Sequence, residues 1–187
     1  MRASETDAVN WFHELDRAIY FALYAGPNPG SVYPLMAGLT ILGTGWTLLA
    51  VVPFGLVPRT RRVALELLLA LGAVFLMVTL IKLGVHRMRP CIAFGVKCHG
   101  LSVSPNVSFP SGHAAGSFAL VSFLVSRLTL PRAMPPVLFA VAAAIALSRV
   151  YLGVHYPSDI TAGALLGMGI GVGLGRWLRR RIGTPRI

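Results

Sequence analysis

Three basic residues lie at the ends of apolar stretches of this sequence, where they could surround one small anion. Lys82 and Arg89 follow one apolar stretch and Arg149 closes another. Arginine offers paired planar donors and lysine a compact charge, a combination that suits a tetrahedral dianion such as phosphate. Ser111 and Gly112 precede a further apolar stretch, where a helix N-terminus offers free N–H groups and a glycine lets an anion approach the backbone. These five residues are therefore the predicted phosphate-binding set.

Two histidines have separable tasks beside such an anion. His155 is followed four residues later by Asp159, which can hold one imidazole nitrogen protonated and leave the other free to attack phosphorus. His113, on a different segment, can protonate the leaving oxygen. We predict His155 as the nucleophile, Asp159 as the residue that orients it, and His113 as the general acid.

Each of these residues also has an ordinary structural interpretation. Lysine and arginine near helix ends commonly reach toward lipid headgroups. Ser111 can simply cap a helix, and Asp159 can favour the positive end of one. A single histidine is more often a hydrogen-bonded interface residue than a catalyst. It is the combination of all eight residues that indicates chemistry.

The composition shows where this chemistry would take place. Of the 187 residues, 55% are hydrophobic and 12% are charged. Several apolar stretches approach the ~20 residues that cross a hydrocarbon core. We predict an all-α integral membrane protein, a single domain over residues 1–187 formed by a bundle of five or six helices. The polar, acidic residues 1–17 do not resemble a cleavable signal peptide.

The net charge of +11 does not predict nucleic-acid binding, because the arginines cluster at the ends of apolar helices. Such clusters anchor and orient membrane proteins. The predicted partners are the bilayer and a lipid phosphate, and the sequence leaves the oligomeric state open.

The chain divides into an N-terminal segment, 1–28, and a core, 30–178. Residues 8–25 mix charged and aromatic side chains, which favours an amphipathic helix in the membrane interface, although a short first span remains possible. Four or five spans follow, covering 32–57 with an interruption at Pro53, 63–85, 111–128, 137–150, and a last helix that begins at Pro157 or Ser158. Glycines along that last helix predict close packing against a neighbour.

Helix direction alternates, so the three motif-bearing segments should meet at one membrane surface. The arginine-rich links (59–62, Arg127, Arg132 and 176–181) fall on the opposite surface, which should be cytoplasmic. The site would then face the periplasm or the outside of a bacterial inner membrane. Cys91 and Cys98 share that oxidising side, where they form either a local disulfide or two reduced packing residues.

Carboxylates are scarce in the C-terminal two-thirds of the chain. Of six in total, only Asp159 lies beyond Glu66. A carboxylate-bound Mg²⁺ or a pair of catalytic carboxylates is hard to build there. We predict no metal and no cofactor.

The motifs resemble, position for position, the signature of the type 2 phosphatidic acid phosphatase superfamily. Lys82 is separated by six residues from Arg89-Pro90, and Pro110-Ser111-Gly112-His113 follows. Ser148-Arg149 is then separated by five residues from His155, with three more before Asp159. The resemblance covers about residues 30–178 and leaves out the N-terminal helix and the two cysteines.

The resemblance implies a helical membrane enzyme that removes phosphate from lipid phosphates or diphosphates through a phosphohistidine, without a metal. Undecaprenyl diphosphate, phosphatidylglycerol phosphate and phosphatidic acid are the expected substrates. The apolar chain argues against the soluble vanadium haloperoxidases that share the signature. Two alternatives remain: phosphoryl transfer to a lipid or sugar acceptor, and a protein that binds or flips lipid phosphate without turnover.

Overall fold

The computed structural model describes residues 2–44, 51–99 and 107–185, and in these ranges it contains eight helices and no β-strand. The helices are α1 (Arg2–Leu23), α2 (Tyr33–Leu42), α3 (Val52–Leu56), α4 (Arg61–Gly84), α5 (Pro90–Ala93), α6 (Gly112–Arg127), α7 (Met134–Tyr151) and α8 (Pro157–Ile182). Six have at least ten residues, and α3 and α5 are single turns. The predicted all-α fold is confirmed.

Three of these helices, α4, α7 and α8, are long and apolar enough to cross a membrane. They match the spans predicted over 63–85, 137–150 and from Pro157 onward. The span predicted over 32–57 contains α2 and α3, whereas residues 45–50 between them lie outside the described residues. The chain is an integral membrane protein.

Helix α6 lies in the middle of the bundle, packed against α4, α7 and α8. It has 16 residues, fewer than the ~20 that usually cross the hydrocarbon. Its neighbours are protein rather than lipid on most sides, which allows it to contain serines. Ser117 and Ser122 are both buried in the protein, and the Ser117 hydroxyl also donates to the His113 carbonyl oxygen one turn earlier at 2.7 Å.

Helices α6 and α8 approach so closely that a side chain would not fit between them. The contact is made by glycines spaced four residues apart on α8, namely Gly163, Gly167, Gly171 and Gly175. A Cβ added at Gly167 would lie 2.1 Å from the Ala115 carbonyl oxygen. Gly169 and Gly173 face open space instead. The predicted close packing is confirmed for one face of α8.

At the arginine-rich end of the bundle, a buried ion pair joins α4 to α6. Arg127 is fully buried, and its Nε and Nη2 donate to the Glu66 carboxylate at 2.7 and 3.1 Å. Its Nη1 donates to the Gly183 carbonyl oxygen at 2.5 Å. Arg127 therefore lies at the predicted end of the molecule, but it is engaged inside the protein and not with headgroups.

Helix α1 packs against α7 and α8 at the other end of the bundle. Asp16 and Tyr20 are buried on its inner side, while Trp11, Phe12 and Leu15 are exposed. The amphipathic pattern predicted for residues 8–25 is thus present. The polar residue on its inner side lies close to the candidate site.

Candidate active site

The predicted site residues come from four helix ends and two loops that meet at one end of the bundle. The last turn of α4 contributes Lys82 and the last turn of α7 contributes Arg149. The first turns of α6 and α8 contribute His113 and Asp159. These residues are far apart in the sequence, and the packing of the helices brings them to one end of the bundle.

His155 lies in the loop between α7 and α8, within reach of the first turn of α8. Its Nδ1 is 3.4 Å from Asp159 Oδ2, and both side chains are buried. Burial lowers the pKa of His155 to about 4, although the hydrogen bond to Asp159 acts in the opposite direction. The ring is therefore neutral at physiological pH, and its Nε2 lone pair is available when Nδ1 carries the proton.

His113 lies in the first turn of α6, directly after Ser111 and Gly112. Its Nε2 is buried and has no hydrogen-bond partner. Gly43, just after α2, lies against the ring, since a Cβ placed there would come within 3.0 Å of His113 Cδ2.

Each of the three predicted cations donates a hydrogen bond to a neutral oxygen. Arg149 Nη1 donates to the hydroxyl of Thr40 in α2, a residue that the sequence did not single out. Arg89 Nη1 donates to the Val154 carbonyl oxygen at 3.1 Å, next to His155. Lys82 Nζ donates to the Val107 carbonyl oxygen at 3.0 Å. Burial lowers the pKa of the Arg89 guanidinium, whereas the charge of Asp159 raises it.

Ser111 caps α6, because its Oγ accepts from the Ala114 N–H at 3.4 Å. Its own N–H donates to the Asp159 carbonyl oxygen at 3.0 Å. The structural interpretation of Ser111 is thus correct, and its hydroxyl proton remains able to point at an anion. Gly112, the first residue of α6, is exposed.

Two buried nitrogen atoms in this region lack a partner. Among the described residues, the buried side-chain atoms without a hydrogen bond are His113 Nε2, Arg149 Nε and Ser122 Oγ, and the first two belong to the predicted site. Buried polar groups are normally hydrogen-bonded, since leaving one unpaired costs about 1–3 kcal/mol. An arginine nitrogen without an acceptor suits an anion brought by a ligand.

The comparison with protein families agrees with this geometry. The model of the PAP2 superfamily matches residues 63–182, which is more than half of the chain. The chain belongs to the PAP2 superfamily. Its predicted class, a phosphoric ester hydrolase, is confirmed, and every predicted site residue lies inside the matched range.

The chain is similar to several named phosphatases of this superfamily. It is 39% identical to a decaprenylphosphoryl-5-phosphoribose phosphatase of Mycobacterium tuberculosis over 149 residues, covering 73% of this chain and 76% of the relative. It is 34% identical to an undecaprenyl-diphosphatase of Sulfolobus acidocaldarius, covering 58% and 52% of the two chains. A crystal structure of a transmembrane PAP2-type phosphatidylglycerolphosphate phosphatase from Bacillus subtilis superposes with a TM-score of 0.73 at 26% identity, covering 92% and 88%.

The loop that contains Cys91 and Cys98 in this PAP2 protein is hydrogen-bonded to the segment that precedes His155. Cys91 and Cys98 form a disulfide, which decides between the two alternatives left by the sequence. Inside this loop the Cys91 N–H donates to the Gly153 carbonyl oxygen at 3.1 Å, and the His99 N–H donates to the Leu152 carbonyl oxygen at 3.0 Å. The disulfide-bonded loop therefore supports the turn that precedes His155.

Arg87 is a residue of this PAP2 site that sequence reasoning missed. It lies between His86 and Met88, in the short segment that joins α4 to α5. In the structure its Nη1 donates to Asp159 Oδ1 at 2.7 Å. Spacing within the motifs gives no signal for this contact, because it joins residues 72 positions apart.

Proposed function

We propose that this PAP2 protein hydrolyses the phosphate of a polyprenyl-linked lipid through a phosphohistidine on His155. The chain is a membrane lipid phosphatase, and the proposal concerns its lipid substrate and the chemical steps of hydrolysis. The observation that carries the proposal is the pair of buried, unpartnered nitrogens on His113 and Arg149, beside the buried His155–Asp159 pair. Hydrolysis is favoured over transfer or simple binding by the named phosphatases to which the chain is similar.

The cations and the first turn of α6 bind the substrate phosphate. Lys82, Arg89 and Arg149 offset the negative charge, while Ser111 and the Gly112 N–H add neutral donors. The low polarity around these groups strengthens each interaction relative to water. A bound dianion offsets the charge of these cations and favours a proton on the neighbouring His113. We therefore expect His113 to become protonated together with substrate binding.

In the first chemical step, His155 Nε2 attacks phosphorus and the bond from phosphorus to the leaving oxygen breaks. His113 gives its proton to that oxygen, so the lipid leaves as an alcohol or a lipid phosphate. Asp159 holds the Nδ1 proton and stabilises the positive ring. In the second step, water attacks the phosphohistidine, neutral His113 accepts a proton from that water, and the bond from phosphorus to nitrogen breaks. Inorganic phosphate is released and the site returns to its first state.

The isoprenoid substrate class is supported by two relatives, whose names refer to decaprenyl and undecaprenyl lipids. Against it, the structurally similar Bacillus subtilis protein is a phosphatidylglycerolphosphate phosphatase. A substrate panel in EDTA decides between them: purified protein is given undecaprenyl diphosphate, a decaprenyl-linked sugar phosphate, phosphatidylglycerol phosphate and phosphatidic acid. We expect the highest kcat/KM on a polyprenyl substrate. Faster turnover of either glycerolipid would refute the substrate class, and activity that EDTA removes would refute a metal-independent reaction.

The assignment of His155 as the nucleophile is tested by comparing wild type with His155→Ala, purified in the same way. His155→Ala should release no phosphate and should trap no acid-labile phosphate on the protein, whereas wild type should trap it on this histidine. Full activity in His155→Ala would exclude His155 as the nucleophile.

We further propose that the site faces the outside of a bacterial cytoplasmic membrane. Arginine-rich α8 ends at the opposite end of the bundle, and the Cys91–Cys98 disulfide suits an oxidising compartment. A membrane-impermeant label should react with a cysteine placed at exposed Met88 in intact cells. A cysteine placed at Arg180 should react only after the cells are permeabilised, and the reverse pattern would contradict the orientation.

A further inference from the structure

Arg87 connects the catalytic pair to helix α1, outside the motifs that define the family. Its Nη1 donates to Asp159 Oδ1 at 2.7 Å and its Nη2 donates to Asp16 Oδ2 at 2.6 Å. The guanidinium also lies over the ring of Tyr156, 3.8 Å from its centroid. The Arg87 side chain is 22% exposed, whereas those of Asp16 and Asp159 are 3% and 0% exposed. One guanidinium therefore links two buried carboxylates.

Asp16 also holds the first turn of α8 directly. Its Oδ1 accepts from the Ser158 N–H at 2.8 Å, and its Oδ2 accepts from the Ser158 hydroxyl at 2.5 Å. Arg87 Nη1 lies 2.6 Å from the same Ser158 oxygen. Asp16, Arg87 and Ser158 thus contact one another in a closed triangle. Ser158 directly precedes Asp159, so this triangle fixes the first turn of α8.

This network leaves the Asp159 carboxylate a single orientation. Oδ1 is taken by Arg87, while Oδ2 accepts from the Tyr156 N–H at 2.9 Å and faces His155 Nδ1 at 3.4 Å. Rotation of the carboxylate would disrupt the contacts with Arg87 and with the Tyr156 N–H. Partners that orient a metal-bound histidine from one contact further out typically change affinity or activity by about 10- to 100-fold when they are removed, and we expect a similar effect for a nucleophilic histidine.

We propose that Arg87 and Asp16 are positioning residues for the His155 nucleophile, so that helix α1 belongs to the catalytic apparatus. The inference rests on the proposed role of His155. Arg87 acts through Asp159, and Asp16 acts through Arg87 and Ser158. Neither residue needs to touch the phosphate, because Arg87 Nη1 and Nη2 each donate to a carboxylate.

The test uses a soluble aryl phosphate, whose turnover requires the site but not the correct lipid. Arg87→Met should lower kcat by about 10- to 100-fold, because the Asp159 carboxylate loses its orienting contact. KM, and competitive inhibition by inorganic phosphate, should stay within about twofold of wild type, because the phosphate-binding residues are unchanged. Arg87→Lys should recover little, since an ammonium cannot bridge both carboxylates. Guanidinium ions added to Arg87→Ala should restore part of kcat.

A double-mutant cycle separates positioning from general stability. Asp16→Asn should lower kcat, and the combined variant should lose clearly less than the product of the two separate losses, since both changes break the link between Arg87 and Asp16. Arg62→Gln is the matched control: Arg62 also pairs with a carboxylate four residues away, Glu66, but at the opposite end of the bundle and with a side chain 56% exposed. It should leave kcat unchanged.

Several outcomes would overturn the inference. Unchanged kcat in a folded Arg87→Met protein would do so, as would a large rise in KM and in the phosphate inhibition constant at unchanged kcat, which would make Arg87 a phosphate ligand. If the losses in kcat of the two single variants multiplied in the double variant, Arg87 and Asp16 would act independently.

Two other outcomes concern the proposed function instead. Failure of the lipid panel with intact aryl phosphate turnover would refute the substrate class alone, and activity in His155→Ala would refute the nucleophile itself.

Discussion

The Ser111 N–H donates to the carbonyl oxygen of Asp159 at 3.0 Å, so the first turns of α6 and α8 are joined directly. Ser111 begins the turn proposed to bind phosphate, and Asp159 is proposed to orient the nucleophile. The two parts of the site therefore cannot shift independently. Their approach requires glycine on α8, because a Cβ at Gly163 would lie 2.4 Å from the Ser111 carbonyl oxygen.

Replacing a contact glycine should destabilise the bundle. Gly167→Ala places a methyl group 2.1 Å from the Ala115 carbonyl oxygen, and backbone cannot yield as a flexible side chain would. We expect a loss of about 1–3 kcal/mol in the free energy of unfolding, the usual range for overpacking. Thermal unfolding in detergent micelles measures it. Gly169→Ala, two residues along and facing open space, should keep or slightly raise the unfolding midpoint. Equal effects in both variants would contradict the packing argument.

The rate loss caused by removing His113, the proposed general acid, should depend on how basic the leaving oxygen is. His113→Ala should lower turnover of an alkyl phosphate by about 100- to 10,000-fold, the usual contribution of a general acid. An aryl phosphate with an acidic phenol leaves without protonation, so formation of the phosphohistidine from it should fall much less. Single-turnover rates on the two substrates provide the comparison. The same loss on both would assign His113 to binding instead of proton transfer.

The protonation of His155 can be followed directly in the free protein. Burial lowers its pKa to about 4 and Asp159 raises it, so removing the carboxylate charge should lower the pKa further. In NMR titrations with labelled histidine, the His155 signal should stay in its neutral position between pH 5 and 8. In Asp159→Asn it should remain neutral to still lower pH, while kcat falls because the ring is no longer oriented. A His155 midpoint near the ordinary value of about 6.5 would contradict its burial.

Sequence patterns predicted the spans that α4, α7 and α8 match, and they proposed the eight site residues, because both predictions use local information. Apolar length marks α4, α7 and α8, and fixed spacings mark residues such as Lys82 and His155. The supporting contacts are different in kind. Arg87, Asp16 and Thr40 look like an ordinary loop cation, a helix carboxylate and a threonine in an apolar run, and their partners lie 72, 142 and 109 positions away. No periodicity encodes such pairings, since they arise only when the helices pack.

Arg127 is the second case in which tertiary pairing changes the meaning of a charge. The sequence grouped it with the basic residues of the cytoplasmic surface, but Glu66, 61 positions away, takes both its Nε and Nη2. Removing one partner of such a pair leaves a buried charge uncompensated. The pair is far from the helix ends that carry the site, so its loss should affect stability more than catalysis.

Arg127→Met should therefore lower the free energy of unfolding by about 3–5 kcal/mol, because Glu66 would retain only its contact with the half-exposed Arg62. Arg127→Met combined with Glu66→Leu removes both charges and should be less destabilising than Arg127→Met alone. Arg132→Met, at an exposed position in the same end of the bundle, should change stability little. Denaturation in micelles measures all three, and KM of the surviving folded fraction should match wild type. A double variant less stable than the single one would show that the pair stabilises the bundle beyond charge compensation.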